Sequence, residues 1–314
     1  MRGPCGSGLG KYEDGDKMFL RTLLHCALGG ALAIAATVLA ADPANRVTIL
    51  YDAFGTAPNF TKDWGFSAYI EYRGKRILFD TGDDAQIFAR NVKAAGVNLA
   101  ELDFVVISHR HLDHTAGLSY LLSINPGVRI YAPKESFGVF GSSLPSSFYR
   151  KDESLPSQMR YYDGVPPEIM TFGSAWPAAK FEMIDKAVEV APGVHILSLV
   201  SDKPGTRELR ELSLAIETRE GVVIVAGCSH PGIDQIVEAA AAIDSRVALV
   251  MGGFHLPAAP DAEIARIAST LKDSRKVDRL APGHCTGEPA FALFRKMWGE
   301  GYLYAGVGSI IELP

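Results

Sequence analysis

The chain has 314 residues, 47% of them hydrophobic, which is enough to bury a large core in a single domain. Its 31 basic residues stand against 36 acidic ones with no basic run, so the charge pattern speaks against a nucleic-acid partner. Four cysteines, two of them within the first 26 residues, are too few for a disulfide framework.

Residues 1–17 are polar, glycine-rich and unpatterned, and read as a non-native or mis-assigned extension with Met18 as an alternative start. After Phe19-Leu20-Arg21, an apolar stretch covers residues 23–39, and small residues precede Asp42-Pro43. That layout is a secretory signal peptide over residues 18–41, so the expected mature chain is periplasmic or secreted. An uncleaved anchor is the competing reading, because the stretch approaches the length of a membrane span. The small-residue site favours removal, leaving no stable membrane association.

From about Val47 onward, short β-branched runs alternate with helical stretches. Strand-like runs include Ile77-Leu78-Phe79, Phe104-Val105-Val106-Ile107, Val222-Val223-Ile224-Val225-Ala226 and Val247-Ala248-Leu249-Val250-Met251. Helices are expected over 84–95, 115–124, 233–243, 262–272 and 289–298. This alternation predicts an α/β domain, 42–314, whose sheets are covered by helices. Between 131 and 179 the pattern gives way to serine, proline and the aromatics Phe137, Phe140, Phe148, Tyr149, Tyr161, Tyr162 and Trp176. Such an insertion reads either as a lid over substrate or as a packed excursion with buried rings. Arg150, Lys151 and Arg160 would meet an anionic substrate in the first case and solvate a loop in the second.

The densest chemistry lies in His109-Arg110-His111-Leu112-Asp113-His114, directly after the run ending at Ile107. Three of the eight histidines of the chain fall in these six residues. Residues two apart on extended chain point the same way, so His109 and His111 can hold one cation together. Asp113 and His114 follow the turn and project differently, towards a second cation. Imidazole suits zinc, iron, nickel or cobalt, and the carboxylate suits a harder ion or a bound water. The bland alternative is a solvated histidine cluster.

This H-x-H-x-D-H spacing resembles the metallo-β-lactamase superfamily, as does Ile77-Leu78-Phe79-Asp80-Thr81-Gly82 upstream. Gly227-Cys228-Ser229-His230-Pro231-Gly232, Gly252-Gly253-Phe254-His255-Leu256 and Pro282-Gly283-His284-Cys285-Thr286-Gly287 are similar to one subgroup. It is named for 7,8-dihydropterin-6-methyl-4-(β-D-ribofuranosyl)aminobenzene 5′-phosphate synthase. Asn91 and Gly65-Phe66-Ser67 also match that subgroup, whereas Asp63-Trp64 stands where an acidic residue and a histidine are usual, so a substrate contact is expected to differ. The resemblance implies a four-layer αβ/βα sandwich with metals at one edge of the two sheets.

The expected metal residues are His109, His111, Asp113, His114, His230 and His284, with two divalent ions, zinc foremost and iron or manganese open. His230 lies a few residues past an apolar strand and His284 in a Pro-Gly-His turn. Asp80 is expected to fix histidine tautomers. Cys228 lies where related enzymes place a bridging aspartate, and it either ligates as thiolate or packs beneath the site, packing being preferred. His255 is open between metal contact, substrate orientation and donation to a developing anion, with a substrate or supporting role preferred. His195 reads as an alternating strand position. Asp113 and His255 are the expected catalytic residues. Water between two cations has its pKa lowered towards neutrality, which predicts a hydrolase for an ester, lactone, amide or phosphoester of a small molecule. A pterin-forming condensation and a non-catalytic binding protein are the alternatives.

Overall fold

The computed structural model describes residues 45–135, 140, 143–171 and 176–314. The N-terminal extension and the signal-peptide segment lie outside them, as does Phe137. The chain runs β1 (Arg46–Tyr51), β2 (Ser67–Tyr72), β3 (Lys75–Phe79), α1 (Ala85–Ala94), β4 (Phe104–Val106), α2 (Leu112–Thr115), α3 (Leu118–Ile124) and β5 (Arg129–Pro133). A hairpin of β6 (Ser143–Pro145) and β7 (Ile169–Thr171) follows, then β8 (Lys180–Ile184), β9 (Val188–Ala191), β10 (Val194–Val200), β11 (Arg210–Glu217) and β12 (Val222–Ala226). The last part holds α4 (Ile233–Ala240), β13 (Val247–Gly253), α5 (Asp261–Ser269), β14 (Arg279–Gly283), α6 (Glu288–Trp298) and β15 (Ile310–Glu312).

Two sheets result, ordered β15-β1-β2-β3-β4-β5-β8 and β14-β13-β12-β11-β10-β9. Their packing follows from two-residue alternation in buried strands. Ile77 and Phe79 of β3, Val223 and Val225 of β12, and Leu249 and Met251 of β13 meet in one core between the sheets. Their alternates point outward. Leu78 and Val105 pack under α1 and α3 with Phe88, Val92 and Leu121. Val222, Ile224 and Val250 pack under α4, α5 and α6 with Ile236, Ile264 and Phe294. The layers are therefore helix, sheet, sheet, helix, the expected four-layer sandwich. Among the described residues no helix is long and apolar enough to cross a membrane.

The expected helix over 115–124 is instead two pieces, α2 and α3, separated at Ala116-Gly117. A Cβ at Gly117 would come 2.3 Å from the Thr81 carbonyl oxygen, so the chain must bend where it presses on the β3 loop. The helix expected from Ile233 ends at Ala240, short of 243.

The insertion divides by position. At its ends, Phe140 is buried and Trp176 packs on the core beneath α1 and α3. In its middle Tyr161 and Tyr162 are exposed, and Tyr149 meets Tyr161 edge to face at 5.0 Å. The packed-excursion reading therefore describes the two ends, while the middle is an exposed segment. Glu135, just before it, pairs with Arg110 of the histidine loop at 2.5 Å.

Parallel pairing of β3-β4-β5 and of β12-β13-β14 brings the C-terminal ends of these strands to one edge. The loops leaving those ends carry Asp80, His109, Cys228, His255 and His284. That is where side chains from separate loops converge in open α/β sheets.

Candidate metal centre

The loop after β4 delivers His109 fully buried and His111 half-buried, with His109 Nε2 3.1 Å from His111 Nδ1. The ring of His230, from the β12 loop, lies 4.8 Å from that of His109 and 4.9 Å from that of His111. On the other side, His114 and His284 rings are 5.0 Å apart. Asp113 Oδ2 sits 3.3 Å from His284 Nε2 and 3.7 Å from His114 Nε2. Among the described residues, six of seven histidines gather at this edge, while His195 stays on β10 paired with Glu217 at 2.7 Å, as expected of a strand position.

Cys228 occupies the middle. Its thiol belongs to three donor groups whose ligand atoms lie within 4.8 Å of one another: with His109 and His230, with His114 and His284, and with His255 and Cys285. Its sulfur is 3.2 Å from His114 Nε2 and 3.4 Å from Cys285 Sγ. Expected either to ligate or to pack, Cys228 is buried and is common to all three groups. His255 is exposed, with its ring 4.2 Å from His230. It stands at the rim, next to donors and open to substrate.

The loop conformations are set by buried polar groups. Asp80, itself at φ 56°, accepts from Ser108 N and Ser108 Oγ at 2.7 Å each and faces His114 Nδ1 at 2.7 Å. Accepting from Nδ1 keeps a proton there, so Nε2, which faces Cys228 and Asp113, is the nitrogen a metal would take in place of its proton, and Asp80 thereby sets the ring's orientation. Glu211, fully buried on β11, accepts from the backbone N–H groups of Cys228 (2.9 Å), Ser229 (2.7 Å) and His230 (2.7 Å). Asp52 accepts from His284 N at 2.8 Å. Ser229, His255 and His284 all have left-handed backbones, at φ 63°, 51° and 43°. Such strained turns persist only where surrounding bonds over-determine them.

Electrostatics keep the rings of His109 and His230 neutral, each with a lone pair. Burial, then the neighbouring imidazoles, hold His109 well below its ordinary value, and burial with His255 and His111 pushes His230 down to about 3. Burial opposes the charge of Asp113, yet His284 and His114 hold it well below the usual carboxylate range. Burial likewise opposes a charged His114, but Asp80 raises it to about 9. Burial raises Glu211 to about 6 and Asp52 to about 7 against their backbone donors.

The residues fit bound metal. Among the described residues, both ring nitrogens of His230 and Nδ1 of His284 are buried without a hydrogen-bond partner, a costly arrangement unless a further group takes up a ring lone pair. The set of imidazole, thiolate and carboxylate donors is one that divalent transition metals take. All six expected ligand residues are brought together. Glu211, Asp52 and Ser108 were not foreseen; the only trace of the first is an acidic residue beside the apolar alternation Leu212-Ser213-Leu214.

Comparison with known proteins agrees with this geometry. The family model of the metallo-β-lactamase superfamily matches residues 64–284. The chain is 31% identical to the 7,8-dihydropterin-6-methyl-4-(β-D-ribofuranosyl)-aminobenzene-5′-phosphate synthase of Methanocaldococcus jannaschii, over 84% of this chain and 95% of that one. Among solved structures, Tm1679, a metal-dependent hydrolase of the β-lactamase superfamily, is 26% identical with a TM-score of 0.62, over 86% of this chain and 99% of that one. The fold protein YhfI of Bacillus subtilis superposes with a TM-score of 0.53 at 16% identity, over 87% and 100% of the two chains. The chain belongs to the metallo-β-lactamase superfamily.

Proposed function

We propose that this protein is an exported hydrolase that uses two divalent metal ions to cleave an ester, lactone, amide or phosphoester bond of a small molecule. The observation that carries the reading is the pair of donor groups that share Cys228, with the unpartnered buried nitrogens of His230 and His284 among them. His109, His111 and His230 would hold one cation, and Asp113, His114 and His284 the other, with Cys228 between. Zinc suits these donors best, and iron or manganese would be taken where available. When bound, such a pair lowers the pKa of water and polarises the oxygen of the scissile group.

The chain's own residues do the rest. Asp113, held ionised at the mouth of the site, orients the nucleophilic water by accepting its hydrogen bond at Oδ2. His255 at the rim hydrogen-bonds the substrate or its departing group. Asp80 and Glu211 keep His114 and the Cys228–His230 loop in place, which spares reorganisation during the reaction. The middle of the insertion, with exposed Tyr161 and Tyr162, serves as a cover over bound substrate.

The signal-peptide-like sequence of residues 18–41 favours the hydrolase over its alternative. That second reading, condensation to a pterin product, draws on the name of the Methanocaldococcus relative. Phosphorylated biosynthetic intermediates are ordinarily cytosolic, so sequencing the N-terminus of the chain recovered from each cell fraction separates the two. The catalytic test is elemental analysis together with a substrate screen across esters, lactones and phosphoesters. About two metals per chain and turnover abolished by chelator are expected; full activity in metal-free protein would sink the proposal.

A further inference from the structure

A hollow of about 630 Å3 adjoins His284, and a second of about 560 Å3 continues from it. The first is lined by His284 itself, with Trp64, Phe54, Phe291 and Glu288. The second shares Phe54 and Phe291 and continues to Tyr304 and Arg295. Each is of the size that small ligands occupy. The rings form two sets that line these hollows: Trp64 lies 5.2 Å from His284, and Phe54 lies 5.3 Å from Phe291 and 5.7 Å from Tyr304.

Trp64 is 49% exposed although it stands against His284, so much of its ring is offered to solvent at the candidate site. Its loop is nonetheless pinned. Asn91 accepts from Thr61 N at 2.8 Å and donates to Thr61 O at 2.9 Å, and Tyr51 donates to Asp63 at 2.7 Å. A large ring held rigidly in a half-open position gains binding energy at little entropic cost.

The charges along the groove are ordered. Glu288 opens α6 in the hollow that His284 lines, and exposed Arg295 lies seven residues further on, roughly 10 Å along the helix. Arg295 has no carboxylate partner among the described residues. An anionic group is therefore disfavoured near Glu288 and favoured at the far end.

We propose that this groove is the substrate subsite, and that it selects an elongated molecule with a planar aromatic body and a distal anionic group beyond the scissile bond. Trp64 and Phe54 stack on the body, and Arg295 receives the anion. The inference rests on the hydrolase reading for the reaction at the metals, and it makes Trp64, at the position where this chain departs from its subgroup, a specificity residue.

The test uses non-hydrolysable probes, so that it does not depend on which bond is cleaved. Calorimetric titration of the metal-loaded protein compares naphthalene-2,6-dicarboxylate with 2-naphthoate, which lacks the distal anion, and with suberate, which lacks the ring. The dicarboxylate is expected to bind tighter than both. Trp64→Ala should weaken it roughly tenfold and abolish its advantage over suberate, with Trp64→Phe restoring most of the loss. Arg295→Gln should remove a roughly fivefold advantage over 2-naphthoate. Both side chains are exposed, so matched thermal unfolding is expected to show intact folds. Preferences that survive these substitutions, or no preference in the parent protein, overturn the groove. Preferences that hold while the protein turns over no ester, lactone, amide or phosphoester sustain the groove and overturn the hydrolase reading.

Discussion

Replacing Glu211 with alanine tests whether the loop from Cys228 to His230 is held by one buried carboxylate. The substitution strands three buried N–H groups, each costing about 1–3 kcal/mol when unsatisfied, or roughly 6 kcal/mol together. Against this stands the burial of the carboxylate itself. A pKa raised from 4.5 to about 6 corresponds to about 2 kcal/mol of disfavoured ionisation at neutral pH. The net loss at pH 7.5 is then about 4 kcal/mol, a fall in melting temperature of roughly 8–16 °C for a domain of this size. The sign of the pH dependence is opposite to that of an ordinary carboxylate. Because folding raises this pKa, the folded state binds the extra proton, and the stabilisation is complete below pH 4.5 and lost as pH rises through about 6. The deficit of Glu211→Ala relative to the parent should therefore widen by about 2 kcal/mol on going from pH 7.5 to 4.5. Chemical denaturation of both proteins, metal-depleted, at the two pH values measures it. Equal stabilities at pH 7.5, or a deficit that shrinks at low pH, would refute the role assigned to the carboxylate.

Other perturbations bear on the same site. Asp80→Asn removes the acceptor that sets the His114 tautomer and should weaken metal binding about 10–100-fold, read by competition with a chromogenic chelator. Cys228→Ser alters the residue common to all three donor groups, so elemental analysis should show a clear loss of metal per chain while His195→Ala leaves it unchanged. In the metal-depleted protein, folding lowers the His230 pKa to about 3, so its contribution is present above pH 6.5 and lost as pH falls. The stability difference between parent and His230→Asn should thus shrink by about 2 kcal/mol from pH 6.5 to 5, in urea titrations. Gly227→Ala would place a Cβ 2.2 Å from Ser108 Oγ and 3.1 Å from Asp80 Oδ2, costing about 1–3 kcal/mol by overpacking and lowering metal content with it.

Much of this molecule could be read without coordinates, because the informative features are local. His109, His111, Asp113 and His114 lie within six residues behind a buried strand, so adjacency along the chain already places their side chains together. Two-residue alternation in runs such as Val222–Ala226 fixes which residues face which layer, and the same local patterning shows that helices must cover the sheets. His230 and His284 were legible one step less directly, as histidines just past the ends of strands. Tertiary structure alone decided the rest, since it joins residues with no shared periodicity. Glu211 meets the Cys228 loop across 17 residues of chain, Cys285 meets Cys228 across 57, and Asp52 meets His284 across 232. The bend at Gly117, the central place of Cys228 and the groove from Trp64 to Arg295 arise in the same way. Each is a contact between separate loops at one sheet edge, and it is set by how two sheets pack rather than by any pattern within a segment.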